Sequence, residues 1–293
     1  MPLEFGVCTN FLETPDTDPV GMCRIPVIAE AGFQYVELPL CHVAALFDRE
    51  FERLADVIHS SGLRSPAACN LFPDQMPLLG GQANPGEISA YLEHALCRAS
   101  RLGIRKVVFA SVSAWTASDS CQDRRAEIVE LVRGTVAPAF QKYQIRLLLE
   151  GLRRQVCNAV NTLPEAAEIC RQAAHPYVGV MADLYHMICN GESPDELAVY
   201  GNEIEHVHIA ERDRLLPFAG VSTELAALTK QLADGAYEGH IFRGPCPVYG
   251  TGNAGSPGKH LPDSYVRNQE LKKALIKSLF GRNDFIRAFL LGR

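Results

Sequence analysis

The chain has 293 residues, 47% of them hydrophobic, with 28 basic against 34 acidic side chains and a formal net charge of −6. That length buries a full core without disulfides or a structural metal, and the apolar content excludes global disorder. The acidic balance argues against a protein built to grip phosphate backbones, so no nucleic-acid partner is expected.

Short β-rich runs alternate with helical patterns nearly from end to end. Strands are expected at residues 3–9, 35–38, 64–70, 106–111, 145–150, 178–183, 204–210 and 239–243. Continuous apolar runs such as Val107-Val108-Phe109 and Leu147-Leu148-Leu149 suit parallel strands covered on both faces. Between them, apolar residues at three- and four-residue spacing predict helices at 50–60, 87–102, 124–141 and 223–233. Thr162-Leu-Pro-Glu and Ser193-Pro-Asp-Glu read as helix starts, each a capping residue followed by acids in the first turn. A Gly- and Pro-rich segment, 249–262, reads as a loop over the active face, and helices at 264–279 and 284–291 are expected to complete an outer ring.

Eight strands in strict alternation with helices predict a single-domain (β/α)8 barrel over residues 1–293. An open doubly wound sheet is the alternative. It would normally carry a Gly-rich phosphate turn after an early strand, whereas Cys8-Thr9-Asn10-Phe11 follows here. The ten cysteines form no C-x-x-C pair and lie mostly in apolar runs, where a thiol acts as a small hydrophobe. No stretch approaches the ~20 apolar residues a membrane span needs, and the N-terminus lacks the pattern of a secretory signal. A reduced, cytoplasmic protein without membrane partners is the expectation.

On a parallel barrel, functional side chains project from the C-terminal ends of strands. Those ends carry Glu37, Asn70, Ser111, Glu150, Asp183 with His186, and His208 with Arg214. A carboxylate, a carboxylate and an imidazole (Glu150, Asp183 and His208) ending strands five, six and seven would converge on one point. Such oxygen and nitrogen donors suit Mn²⁺, Mg²⁺, Co²⁺ or Zn²⁺ rather than a thiolate-preferring metal. Each has a plainer reading: Glu150 as a buried ion-paired acid, Asp183 as a turn former, Arg214 as a rim charge. His206, two residues before His208, reads as a hydrogen-bonded core histidine. Trp115 would wall a ligand pocket or cap a hydrophobic cluster.

Tyr35-Val-Glu-Leu, Leu148-Leu-Glu150, Ala182-Asp-Leu-Tyr-His186, His206-Val-His208 through Arg214 and Ala236-Tyr-Glu-Gly-His-Ile241 together resemble the xylose-isomerase-like TIM-barrel superfamily. That group holds ketose 3-epimerases and other sugar isomerases and epimerases, an inosose dehydratase and endonuclease-IV-type enzymes. The resemblance implies that Glu150, Asp183 and His208 are three of four metal ligands and that Glu150 is also a base. It implies that His186 and Arg214 orient substrate oxygens and that Glu37 makes a polar contact; Trp115, following strand four, is expected among the substrate contacts on the reading that it walls the pocket. The implied chemistry is divalent-metal-assisted proton transfer next to a carbonyl of a small polyhydroxylated substrate, through an enediolate. Homo-oligomers are common in the group, so one is allowed here.

Two positions depart from the epimerase pattern. Gly244 stands where a fourth ligand, a Glu ending strand eight, is expected, and Val156 stands where a further acid is expected. Epimerisation at one carbon normally uses bases on opposite faces, so losing the strand-eight Glu weighs more against an epimerase than against an isomerase or dehydratase. The losses also motivate a different class, a metal-free barrel that binds a sugar-like ligand without catalysis. Abasic-site endonuclease chemistry is disfavoured, since that resemblance calls for a three-metal site with additional His and Glu ligands and the chain shows no basic groove.

Overall fold

The computed structural model describes residues 5–9, 14–30, 33–118, 120–210, 212, 222–234 and 240–243. Eight parallel strands close into a barrel in chain order: β1 (Phe5–Cys8), β2 (Tyr35–Pro39), β3 (Arg64–Cys69), β4 (Lys106–Phe109), β5 (Arg146–Leu149), β6 (Val178–Asp183), β7 (Ile204–Ile209) and β8 (His240–Arg243). Pairing of β1 with both β2 and β8 seals the ring, as the alternation of strands and helices predicts. No helix of the described residues is long and apolar enough to cross a membrane. None of the nine described cysteines is joined in a disulfide.

Strand periodicity of two sends alternate side chains inward and outward. Val107, Phe109, Leu147 and Leu149 join the large core between strands and helices, while Cys8, Cys69, Val108, Leu148 and Met181 pack on one another as a separate cluster. That second set fills the barrel interior, so the barrel is a packed core and not a pore. In β1, Gly6 stands in register with Tyr35 of β2, and a Cβ built on it would lie 1.8 Å from the Tyr35 ring. The wholly buried ring occupies the space that a side chain at position 6 would need.

The strand starts carry charge at the opposite end of the barrel from their C-termini. Lys106 Nζ donates to the Glu205 carbonyl at 2.6 Å, and Arg146 Nε donates to Glu205 Oε2 at 2.9 Å. Gly179 of β6 makes room for this pair, since a Cβ there would meet Glu205 Oε1 at 2.2 Å.

The helices are α1 (Ile25–Glu30), α2 (Leu40–Ala45), α3 (Asp48–Ser60), α4 (Pro85–Arg101), α5 (Cys121–Leu131), α6 (Ala137–Tyr143), α7 (Leu163–Ala173), α8 (Leu184–Asn190), α9 (Pro194–Tyr200) and α10 (Thr223–Asp234). The Thr162 start is a reciprocal capping box: Thr162 Oγ1 accepts from the Glu165 amide, and Glu165 Oε2 accepts from the Thr162 amide. Ser193 caps α9 by accepting from the Asp195 amide. The single helix expected at 124–141 is instead α5 and α6 joined by a π-helical turn at Val132–Val136. Pro138 is the physical reason, because its ring lacks an N–H and crowds the carbonyl four residues earlier, and the widened turn accommodates it. The loop at 249–262 and the helices at 264–279 and 284–291 lie outside the described residues.

One acid outside the barrel mouth titrates in an unusual range. Glu192 Oε2 accepts the Leu163 amide at 2.9 Å, capping α7 from the segment after α8. Burial raises its carboxyl to about 7, the Leu163 and Asn190 hydrogen bonds opposing this. A folded-state pKa above the unfolded value means that the native state binds the proton more tightly, so stability falls as pH rises from about 4.5 to about 7. Glu192→Gln keeps an oxygen for Leu163 and removes the titration. Urea unfolding at pH 8 is expected to show the variant more stable by about 3 kcal/mol, the gap narrowing to under about 1 kcal/mol by pH 5. A pH-independent gap would contradict the assignment.

Candidate metal centre

Three apolar residues of β5 run directly into Glu150, whose backbone is held from two sides. Its amide donates to the Phe109 carbonyl at 3.2 Å, and its carbonyl accepts the Trp115 indole N–H at 2.9 Å. Trp115 is wholly buried, its ring centroid 4.8 Å from that of Phe109. The expectation of a substrate contact at Trp115 is therefore corrected: the indole has no surface for a sugar to touch, and it braces Glu150 from beneath.

At the end of β6, Asp183 caps α8. Its Oδ1 accepts from the Tyr185 amide at 2.8 Å and the His186 amide at 3.2 Å, which fixes the carboxylate and directs Oδ2 elsewhere. His208 lies beside it on β7, with Nδ1 at ion-pair distance, 3.7 Å, from Asp183 Oδ2. Ligand-type atoms of Glu150, Asp183 and His208 all lie within 4.8 Å of one another. His186, in the first turn of α8, places Nε2 3.9 Å from both Glu150 Oε1 and Asp183 Oδ2. Its Nδ1 accepts the Arg153 amide at 3.0 Å, so in the neutral ring the proton sits on Nε2, aimed at the two acids.

On the far side of His208, Glu37 of β2 is fully buried. Its carboxylate takes His208 Nε2 at 3.0 and 3.2 Å and His206 Nε2 at 3.4 Å. The expectation that Glu37 touches substrate is corrected by the same observation, for both oxygens face imidazoles and none reaches the surface. His206 is the buried, hydrogen-bonded core histidine its position suggests.

The electrostatics follow from burial and charge. Burial, reinforced by the Asp183 charge, pushes the Glu150 carboxyl well above its ordinary value. Burial would also raise Glu37, but the His208 and His206 charges hold it well below the usual carboxylate range. Burial lowers His206 to about 4. It opposes protonation of His208 too, yet Glu37 and Asp183 raise that imidazole well above its ordinary value. Cys8 joins Glu37 and His208 in a second close group, but burial keeps its thiol protonated.

Whether a cation fits is decided by the donors. Glu150 Oε1 is buried without a hydrogen-bond partner, an arrangement that costs free energy unless positive charge meets it. Two carboxylates and an imidazole converging there are the donor set of a hard or borderline divalent ion. The residues fit.

Of the positions expected from sequence, Glu150, Asp183, His186 and His208 come together, and Glu37 and Trp115 support them. Arg214 and Gly244 lie outside the described residues. Val156 packs as an apolar residue against the core. Two participants were missed. Cys8 reads only as a small hydrophobe, and the Arg153 amide is a backbone group that leaves no mark in residue type.

Comparison with known proteins agrees with this architecture. The chain is 25% identical over 276 residues to the D-psicose 3-epimerase of Ruminiclostridium cellulolyticum, covering 91% of each. Among solved structures it resembles a D-psicose 3-epimerase crystallised in the presence of D-fructose, with a TM-score of 0.78 at 19% identity over 95% of this chain and 100% of that one. It also resembles an AP endonuclease, family 2, of Brucella melitensis, with a TM-score of 0.67 at 23% identity over 85% and 94%. At such identities the structural likenesses establish the fold alone. A family profile described as xylose isomerase-like TIM barrel matches residues 25–243, and with the closed barrel and its strand-end site this places the chain in the xylose isomerase-like TIM barrel family.

Proposed function

We propose that residues 1–293 act as one barrel domain and a divalent-metal-dependent isomerase of the aldose–ketose or epimerase type, working on a small polyhydroxylated carbonyl compound. The observation that carries this reading is the approach of Glu150, Asp183 and His208 to within 4.8 Å at the C-terminal ends of β5, β6 and β7. The D-psicose 3-epimerase relative supports the sugar class. Glu150, Asp183 and His208 would hold the cation, Mn²⁺, Co²⁺, Zn²⁺ or Mg²⁺ by donor type. Such an ion supplies positive charge to a substrate oxygen and so acidifies the neighbouring C–H.

The remaining steps belong to the chain. Glu150, braced through its backbone by Phe109 and Trp115, takes the C–H proton and returns it. His186 donates Nε2–H to a substrate oxygen, and the Arg153 amide on Nδ1 keeps its ring from flipping. Asp183, with one oxygen on two amides, keeps a fixed orientation of the other. Arg214 is assigned by its place in the sequence to orienting substrate.

The test is deuterium uptake. Full-length protein loaded with Mn²⁺ and incubated with ketopentoses and ketohexoses in D₂O is expected to exchange the hydrogen next to the carbonyl, read by proton NMR. Loaded protein that exchanges none of them defeats the proposal. Mn²⁺ is also expected to raise the unfolding temperature, by an amount equivalent to about 2.7 kcal/mol at a hundredfold excess over Kd.

A second reading, a sugar-binding barrel without catalysis, is favoured by Val156, whose apolar side chain packs against the core where the resemblance expects an acid. Sugar binding without cation uptake or exchange would select it.

A further inference from the structure

We propose that Glu37 is a positioning residue for the cation site: by holding Nε2 of His208 it makes Nδ1 the nitrogen presented to the cation. This rests on reading Glu150, Asp183 and His208 as ligands, and it assigns a task to a residue otherwise left as a buried acid.

An imidazole has two nitrogens, and in the neutral ring one carries the proton and the other the lone pair. A metal takes only the lone pair, so ligation through a given nitrogen requires the proton to be held on the other. Both Glu37 oxygens lie within 3.2 Å of His208 Nε2. A carboxylate only accepts, so Nε2 must donate. The lone pair then falls on Nδ1, which faces Asp183 Oδ2 at 3.7 Å and belongs to the close group with Glu150. Positive charge belongs between Nδ1 and Asp183 Oδ2: a proton supplies it in the metal-free protein, and a cation ligated by Nδ1 would take that proton's place.

Other roles for Glu37 fit less well. Its carboxylate is fully buried, so it cannot meet substrate. It lies on the Nε2 side of the ring, so it cannot share with Asp183 a cation bound at Nδ1. A plain stabilising pair would need one imidazole, whereas Glu37 takes two from the same strand. His206 Nε2 sits 3.4 Å from Glu37 Oε2, and the two rings stand edge to face with centroids 5.0 Å apart. The clamp from β2 therefore sets the rotation of His208 about its side-chain bonds. Cys8 with Glu37 and His208 offers a rival arrangement, with a soft cation on Nε2, and it requires Glu37 to release the ring.

The experiment compares the full-length protein with Glu37→Gln, which keeps shape and loses the second acceptor and the charge. Zn²⁺ and Mn²⁺ affinities are measured by chelator competition, and folding of the metal-free forms by circular dichroism. The variant is expected to stay folded and to bind about 10- to 100-fold more weakly. Independently, a long-range ¹H–¹⁵N spectrum of the Zn²⁺-loaded unsubstituted protein is expected to show His208 protonated at Nε2 and metal-shifted at Nδ1. That measurement decides the question even if the variant fails to fold. Unchanged affinity in a folded variant overturns the assignment, as does a proton on Nδ1 or a Co²⁺ spectrum with a thiolate charge-transfer band. An unsubstituted protein that takes up no cation overturns the ligand reading and this inference with it. Uptake with an indifferent Glu37→Gln overturns this inference alone.

Discussion

Glu150→Gln is expected to slow hydrogen exchange next to the substrate carbonyl by about 10²- to 10⁴-fold, the usual loss when a positioned base is removed, while leaving the metal-free protein no less stable. The first half follows because the amide neither accepts the C–H proton nor supplies an anionic oxygen to a cation. The second follows from the environment of the acid. Burial and the Asp183 charge both disfavour its ionised form, and Oε1 has no hydrogen bond to lose. A neutral group of the same shape removes that penalty, as commonly happens at sites shaped for chemistry rather than stability. Rates come from proton NMR in D₂O and stabilities from urea titrations with chelator present. Exchange at the unsubstituted rate would remove Glu150 from the reaction, and a large loss of metal-free stability would show that its charge is satisfied in the native protein.

Gly6→Ala is expected to destabilise the barrel by about 3 kcal/mol, the upper part of the range for overpacking. The added methyl would meet the Tyr35 ring at 1.8 Å, and Tyr35 is buried on all sides. The ring has nowhere to retreat, so β1 and β2 must separate or shift. The diagnostic is a double-mutant cycle. In a Tyr35→Leu background, which trims the ring, Gly6→Ala should cost distinctly less, giving a coupling on the order of 1–3 kcal/mol. Additive effects would place the strain elsewhere.

The barrel was legible because its signals are local. Leu147-Leu148-Leu149 and Val107-Val108-Phe109 announce strands covered on both faces, and the caps at Thr162 and Ser193 announce helix starts within a few residues. The break between α5 and α6 was less legible, since the apolar pattern runs on through Pro138 and only the backbone registers the missing N–H. The convergence of Glu150, Asp183, His186 and His208 could be anticipated from strand ends. The task of Glu37 could not, because it depends on a contact with His208 across 171 positions of chain. Trp115 shows the same limit: residue type leaves open whether an indole walls a pocket or lies under it, and packing against Phe109 decides.

Glu37, Glu150, Asp183 and His208 arrive from β2, β5, β6 and β7. No hairpin or half-barrel contains all four, so these groups can meet only after contacts of high sequence separation have formed. A cation held by the last three, with His208 set by Glu37, would sense the arrival of β2 as well as the pairing of β5, β6 and β7. Its release should then report global opening rather than fraying of any one segment, and adding it should slow unfolding far more than it speeds folding.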